Sequence, residues 1–253
     1  MRNKKLKIAA IAIAVFFILS LMKNAIVQVV IQGSISSAAH VPVRIQKTRL
    51  GLLSSSIRLD GLKVYNPKGF SEKVMVDAPL ISASCDLPGF FKGQAHFRDI
   101  QLDIKEVVVD KNREGRLNID AVKPTAEDKK KRQEKEEETR AKQKPVKLKI
   151  DALILSIGRV VYKDYSAGGA PKTQVFEINM RDRVFTDIHD PATVVSLVMF
   201  EALTRTTLSR LLDLDLNVFK DGAVGALDKG LGLVSGGSKK IENTAKDLLN
   251  LFN

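Results

Sequence analysis

Apolar and polar residues alternate through most of the chain between residues 41 and 190, and period-two alternation is typical of β-strands with one buried face. The alternation changes parity within the predicted strands. Leu59 and Leu62 lie on either side of one change, at Gly61, and Ile104 and Val107 lie on either side of another. Because one extra residue shifts the side-chain alternation by one position, the pattern predicts strands that contain bulges.

Two of these strands resemble each other in sequence. Residues 58–64 and 149–155 share the order basic, apolar, Asp, small, Leu, any residue, aliphatic. Each unit must bury its apolar face against a neighbour, so repeated strands with one shared bulge position predict a common sheet. We therefore expect a curved antiparallel sheet in the body of the protein.

The first 32 residues have a different pattern. A basic start at residues 2–7 precedes an uncharged apolar stretch at residues 8–22, and a second apolar piece ends at Ile31. This order is typical of a signal sequence or a signal anchor. The position just after the first stretch holds Lys23 and Asn24 rather than the small residues of a cleavage site, so we expect an uncleaved transmembrane helix. The positive-inside rule then places the body of the protein outside the cytoplasm.

The C-terminal part is predicted to be helical. Asp190 and Pro191 are typical of the N-cap and the first position of a helix. Apolar residues on more than one side continue to Leu212, which predicts a helix that covers one end of the sheet. The amphipathic segment 239–252 follows a glycine-rich stretch and is expected either to dock on the domain or to lie in a membrane interface.

The charge of the chain is unevenly distributed. The net charge is +12, and residues 1–40 carry five cations and no acid, whereas residues 148–253 carry 13 of each sign. A nucleic-acid-binding domain would carry its basic residues on the folded body, interleaved with aromatic side chains, so we do not expect nucleic acid as a partner. Residues 121–147 are almost entirely charged or polar and have no apolar face, which predicts a solvent-exposed linker.

Motifs for catalysis or metal binding are not recognisable. The glycine-rich stretch 230–239 lacks the Gly-Lys-Ser/Thr of a phosphate-binding loop. The single cysteine, Cys85, excludes an internal disulfide, and His40, His96 and His189 share no metal-ligand spacing. We therefore predict that the protein is not an enzyme and has no cofactor or metal.

These patterns predict an α+β protein with an N-terminal transmembrane helix, a curved antiparallel β-sheet body with bulges, and C-terminal helices. Each part is defined by a change in composition or periodicity. The predicted parts are a signal anchor at residues 1–32, a β-rich section at 41–120, the charged linker at 121–147, a second β-rich section at 148–190 and a helical region at 191–253.

Three features of the chain resemble the AsmA-like proteins. They are the signal anchor, the strand at residues 100–109 with the turn Gly115-Arg116-Leu117-Asn118 after it, and the segment 155–164 with its glycine, aromatic residue and aspartate. The likeness covers roughly residues 1–190. It implies a β-sheet groove, anchored in the bacterial inner membrane by a single span and facing the periplasm, that shields lipid acyl chains and supports outer-membrane homeostasis. It implies no catalytic residues.

Two functions follow from these expectations. The first is lipid handling, with membrane lipid bound on the apolar face of the sheet. The second is a membrane-tethered scaffold in the cell envelope, in which C-terminal helices close the same face and no lipid is carried; an envelope hydrolase would additionally need a polar cluster there. In either function the charged linker is available to envelope proteins. The candidate lipid-groove residues are Ile57, Leu59, Ile100, Leu102, Leu153 and Leu155.

Overall fold

The computed structural model of the chain describes residues 24, 25, 27–90, 94–123, 147–223 and 226. Most of the predicted signal anchor, most of the charged linker and the amphipathic segment 239–252 lie outside these residues. The described residues form an α+β fold built on one six-stranded sheet, in which the strands lie side by side in chain order. The strands are β1 (Val43–Gly51), β2 (Ser56–Tyr65), β3 (Val74–Cys85), β4 (Gln94–Lys111), β5 (Lys147–Asp164) and β6 (Lys172–Ile188).

The sheet is mixed, so the prediction of an antiparallel sheet is wrong for one of the five strand pairs. Four of the five neighbouring pairs are antiparallel, but β4 and β5 run parallel along their whole length, from Gln94 opposite Lys147 to Lys111 opposite Asp164. A parallel pair needs a crossover that returns the chain to the starting end of the sheet, and such crossovers take a dozen residues or more. The chain between Lys111 and Lys147 is long enough for such a crossover.

The pairing of all six strands is interrupted at one level, which we call the central row. Gly61 has a positive φ of 66°, and a side chain there would meet the Gln46 side chain at 2.5 Å. Gly158 lies so close to β4 that a Cβ would meet the Lys105 carbonyl oxygen at 2.6 Å. The parity of the buried positions changes across this row in the first five strands, as expected for an extra residue per strand. The central row consists of Gln46, Gly61, Pro79, Lys105, Gly158 and Asn179.

Helical segments precede and follow the strands in the described chain, and two short ones lie between strands. The helix predicted from Pro191 begins there, and the Asp190 side chain accepts a hydrogen bond from the Ala192 backbone N–H at 3.0 Å. It ends at Thr204 rather than near Leu212, and a separate short helix follows. No described helix is long and apolar enough to cross a membrane. The helical segments are α1 (residues 27–39), α2 (Leu87–Phe90), a 3₁₀ helix (Asn118–Val122), α3 (Pro191–Thr204), α4 (Leu208–Leu211) and α5 (residues 217–223).

Helix α1 and the preceding Asn24 lie along the outer edge of β1 and bond to three of its backbone groups. The side chain of Gln28 donates to the Ile45 carbonyl oxygen at 2.8 Å, and the Ile45 N–H donates to the Gln32 side chain at 3.3 Å. The Leu50 N–H donates to the Asn24 side chain at 3.0 Å, and the Ser36 hydroxyl donates to the Val41 carbonyl oxygen at 2.8 Å. Gln28, Gln32 and Ser36 recur every fourth position, so they lie on one face of α1, and Asn24 precedes the helix at the same spacing. The adjacent stripe of Val27, Ile31 and Ile35 packs against the core.

The two ends of the sheet hold different turns, loops and strand ends. The hairpin end, as we call it, holds the β1–β2 turn at residues 52–55, the first residues of β4 and β5 and the last residues of β6. The far end holds the β2–β3 loop and the β5–β6 turn. Because Asn24 bonds to Leu50, the part of the chain that precedes α1 enters the described structure at the hairpin end.

Candidate functional site

The six predicted groove residues lie together on one face of the sheet, in two neighbouring rows. Strand pairing places residues opposite one another on the same side of a sheet. The first row runs through Ile57, Ala83, Ile100, Leu153 and Phe185. The second row runs through Leu59, Ile81, Leu102, Leu155 and Arg183. We call this surface the apolar face.

The apolar face is deeply covered over β5 and β6. Leu153 and Leu155 are fully buried, and α3 packs against both strands with Leu197 and Leu203, which are also fully buried. These side chains belong to one continuous core that includes Phe219 of α5. Protein side chains therefore already occupy this part of the face in the described structure.

Cover is less complete at one position each of β3 and β4, whereas the other row members on these strands, Ala83 and Leu102, are buried, as are Ile57 and Leu59 of β2. Ile81 and Ile100 are only partly buried, although both lie in the two candidate rows. Further partly buried apolar side chains surround them at this end of the sheet, contributed by β1, α2, β4 and β5. They are Leu50, Leu87, Phe97 and Leu148. The apolar face is thus accessible where the chain from the N-terminus arrives.

Sequence reasoning missed four members of the two rows, namely the apolar residues Ile81, Ala83 and Phe185, and Arg183 at the end of the second row. Ile81 and Ala83 alternate within β3, so the period-two signal that identified the other positions is present there as well. Phe185 is fully buried but lies in β6, where Asn179, Asp182 and Asp187 have positive φ and interrupt the alternation. The period-two pattern therefore did not identify Phe185, because the irregular backbone of β6 interrupts the alternation.

Cys85 contributes an apolar group to the hairpin end of β3. Its side chain is fully buried, and its Sγ donates to the Ser55 carbonyl oxygen at 3.4 Å. Burial raises the pKa of the Cys85 thiol, so the neutral form is favoured. A buried, protonated thiol is a poor nucleophile, which agrees with its interpretation as a small residue in a strand.

The far end carries a buried polar network that the sequence alone did not predict. The Asn118 amide donates to the Val108 carbonyl oxygen and to the Asn66 side chain, both at 2.8 Å, and its Oδ1 accepts from the Asp110 N–H at 2.9 Å. Gly115, three residues before Asn118, has a positive φ of 77°. The turn needs this backbone conformation, which glycine adopts without steric cost. The turn Gly115-Arg116-Leu117-Asn118 thus fastens the end of β4 to the β2–β3 loop.

Carboxylates of this network have pKa values shifted in opposite directions. The Lys163 ammonium donates to the Glu72 carboxylate at 2.7 Å and lowers its pKa, and the Tyr165 hydroxyl donates to the same oxygen. Asp110 is fully buried, and burial raises the pKa of its carboxyl group. Its Oδ2 accepts from the Glu72 N–H at 2.9 Å, but its Oδ1 has no hydrogen-bond partner among the described residues.

Histidines and carboxylates do not form a metal centre in the described part of the chain. His96 contacts the Asp151 carboxylate at 2.7 Å, and His189 contacts Asp187 at 3.1 Å. The Lys149 ammonium also contacts Asp151, and its hydrogen bond is the largest cause of the lowered pKa of that carboxyl group. No group of three or more His, Cys, Asp or Glu side chains within these residues is arranged to hold a metal ion.

A buried ion pair fastens α3 over the apolar face. The Glu201 carboxylate has a side-chain exposure of 3% and accepts from Arg183 of β6 at 3.0 Å and from Arg205 at 3.2 Å. The Arg183 guanidinium also lies 5.5 Å from the centre of the Phe185 ring, within cation–π distance. The ion pair between Glu201 of α3 and Arg183 of β6 therefore holds the helix against the sheet.

The features that carry the family resemblance now have structural roles. The turn that contains Asn118 fixes the end of β4, and Gly158 permits close contact between β4 and β5 within the segment 155–164. A comparison with curated proteins finds no match to the sequence. The sequence does match the AsmA family over residues 3–189, which is most of the chain. This chain belongs to the AsmA family.

Proposed function

We propose that the protein is a membrane-anchored, periplasm-facing member of the AsmA family that handles or shields lipid on the apolar face. The observation that carries this proposal is the partial exposure of Ile81 and Ile100 at the hairpin end. Acyl chains gain free energy when they leave water for such a surface, and the gain is proportional to the apolar area that is covered. The role is non-enzymatic, and it requires neither a cofactor nor a metal.

The position of the accessible surface favours lipid over other apolar ligands. Asn24 hydrogen-bonds to Leu50 at the same end of the sheet, and the apolar stretch 8–22 directly precedes it in the sequence. We propose that this stretch anchors the chain in the inner membrane, with the basic residues 2–7 on the cytoplasmic side. A lipid leaving the outer leaflet would then meet Ile81 and Ile100 first.

A scaffold without lipid cargo is the second candidate function. Leu153 and Leu155 are fully buried beneath α3, as expected if C-terminal helices close the apolar face permanently. In that function the partly buried apolar residues at the hairpin end, such as Ile81 and Ile100, are the incompletely covered margin of the core. The two functions differ in one respect that can be measured, namely whether lipid stays bound to the purified protein.

The experiment is native mass spectrometry of the full chain after detergent extraction from an envelope fraction, with organic extraction of co-purified lipid. The test variant is Ile81→Glu with Ile100→Glu, because these partly buried positions tolerate a charge better than Leu155 does. The matched control is Ser82→Glu with Gln101→Glu. Those residues are the next positions along the same strands, face the other side of the sheet and are hydrogen-bonded at 3.2 Å.

Lipid carriage predicts phospholipid bound in stoichiometric amount to the wild type and to the control, and lost from the test variant while circular dichroism is unchanged. A folded wild-type protein free of lipid would contradict lipid carriage and favour the scaffold. Recovery of the chain in the soluble fraction would contradict the membrane anchor, independently of lipid binding.

A further inference from the structure

The β1–β2 turn at the hairpin end exposes two leucines. Leu53 is fully exposed, with a relative accessibility of 104%, and Leu52 is 52% exposed. The neighbouring polar groups bond within the hairpin or to β3. The Ser54 hydroxyl lies 2.7 Å from the Ser56 hydroxyl, and the Ser55 carbonyl oxygen accepts from the Cys85 N–H at 2.8 Å. The tip is therefore held in shape by its serines and presents its apolar side chains to the surroundings.

The tip belongs to a strongly cationic part of the chain. Residues 23–59, on the same side of the proposed anchor as the tip, contain five Lys or Arg and no Asp or Glu, and Asp60 is the first acid. Arg49 and Arg58 flank the tip on neighbouring strands, and both guanidinium groups contact Asp60 at 3.1 Å while remaining about half exposed. Apolar residues at a tip with cations behind them are the arrangement that binds an anionic membrane interface.

The path of the chain brings the tip close to the proposed anchor. Asn24 is hydrogen-bonded to Leu50, only two residues from Leu52, and residues 8–22 precede it. Met22, the last residue of this apolar stretch, is two positions before Asn24, so a bilayer that holds residues 8–22 ends close to the level of the tip.

We propose that Leu52 and Leu53 insert into the headgroup region of the bilayer that holds the anchor, as a second contact between the protein and the membrane. The inference rests on the membrane anchor of the proposed function. Two contacts fix the tilt of the sheet, which one helix alone does not. The accessible part of the apolar face then stays directed at the membrane.

The test uses the full chain in vesicles of phosphatidylethanolamine and phosphatidylglycerol, with Cys85→Ser and one new cysteine carrying an environment-sensitive fluorophore. The new cysteines are Leu52→Cys and Leu53→Cys at the tip, and Ala14→Cys in the proposed anchor. Val175→Cys is the matched control, because Val175 is 52% exposed like Leu52 but lies at the far end of the sheet. Vesicles with and without nitroxide-labelled lipid report contact with the bilayer.

We expect blue-shifted emission at both tip positions and quenching by nitroxide lipid about threefold stronger than at Val175, as for side chains buried in the interface. Quenching at Ala14 with the tip equal to Val175 would overturn the inference and leave the anchor intact. Absence of quenching at every position would overturn the anchor, and the inference with it. Blue-shifted emission at the tip without quenching by nitroxide-labelled lipid would indicate a contact with protein, and it would also overturn the inference.

Discussion

At the scale of single residues, Asn118 is the side chain on which the far end depends most. It is fully buried and forms three hydrogen bonds, to Asn66, Val108 and Asp110. Asn118→Ala would leave these buried partners unsatisfied, so we expect the free energy of unfolding to fall by about 3 kcal/mol. Urea denaturation measures the change. Asn217→Ala is the control, since Asn217 is exposed, and we expect it to alter the free energy by no more than about 0.5 kcal/mol.

Two tyrosines at the far end make stability dependent on alkaline pH. Burial and the hydrogen bond to Asp164 raise the pKa of Tyr162 to about 12, and burial and the bond to Glu72 raise that of Tyr165 to about 12, from the usual 10.0. In the unfolded chain these phenols lose their protons first. The stabilising contribution is therefore complete below pH 10.0 and is lost as the pH rises towards about 12.

The chain has three tyrosines and no tryptophan, so phenolate absorbance reports them directly. We expect two of the three to titrate well above pH 10, and Tyr162→Phe to remove one of the late titrations. Denaturation curves at pH 9 and pH 11 should then differ less in that variant than in the wild type. Three phenols that titrate together near pH 10 in the folded protein would contradict this assignment.

At the scale of elements, α1 protects an edge of the sheet by supplying side-chain partners to β1. The Leu50 N–H has Asn24 as its acceptor, so Asn24→Ala should expose that amide to solvent. We expect hydrogen exchange at Leu50 to quicken about tenfold in that variant. Gln28→Ala is the matched control, because Gln28 is on the same face of α1 but contacts the Ile45 carbonyl oxygen instead. Unchanged exchange at Leu50 in Asn24→Ala would mean that α1 does not cap this edge in solution.

The attachment of α3 to the sheet depends on the Glu201 carboxylate and on the two guanidinium groups that contact it, those of Arg183 and Arg205. Arg183→Ala and Arg205→Ala each leave Glu201 with a cation, so we expect each to lower the free energy of unfolding by about 1 kcal/mol. Together they leave a buried carboxylate unpaired, so the double variant should lose about 4 kcal/mol. Glu201→Gln added to the double variant should recover about half of that loss. Additive effects of the two arginine substitutions would contradict the shared role of Glu201.

At the scale of the whole molecule, alternation predicted the strands and the shared face, but it did not predict the direction of every strand. Ile57, Leu59, Ile100, Leu102, Leu153 and Leu155 were identified from period and parity, and strand pairing places them in adjacent rows. A period of two is the same in parallel and antiparallel strands, so the β4–β5 pairing left no mark on the pattern. The length of the connection between β4 and β5 was the feature that indicated a parallel pair. Because the connection is highly charged, it was interpreted only as a solvent-exposed linker.

The far-end network was not predictable from sequence for a different reason. Its members come from separate segments, with Asn66 and Glu72 in the β2–β3 loop, Asp110 at the end of β4, Asn118 in the 3₁₀ helix and Lys163 in β5. Polar residues in loops are common in any sequence, and only tertiary structure determines which of them become buried. In the same way, the burial of Leu153 and Leu155 beneath α3 was not predictable, because it depends on where the helix packs on the sheet.

The parallel pairing of β4 with β5 also has a consequence for the order of folding. Every contact between these strands joins residues about 50 positions apart, as with Val107 and Val160, whereas β1 to β4 and β5 to β6 are linked by short connections. We expect the two groups of strands to form early and to join late. Val160→Ala should therefore accelerate unfolding in stopped-flow experiments and leave the refolding rate nearly unchanged. Until the groups join, both long strands keep a free edge, and the nascent protein is then most exposed to aggregation.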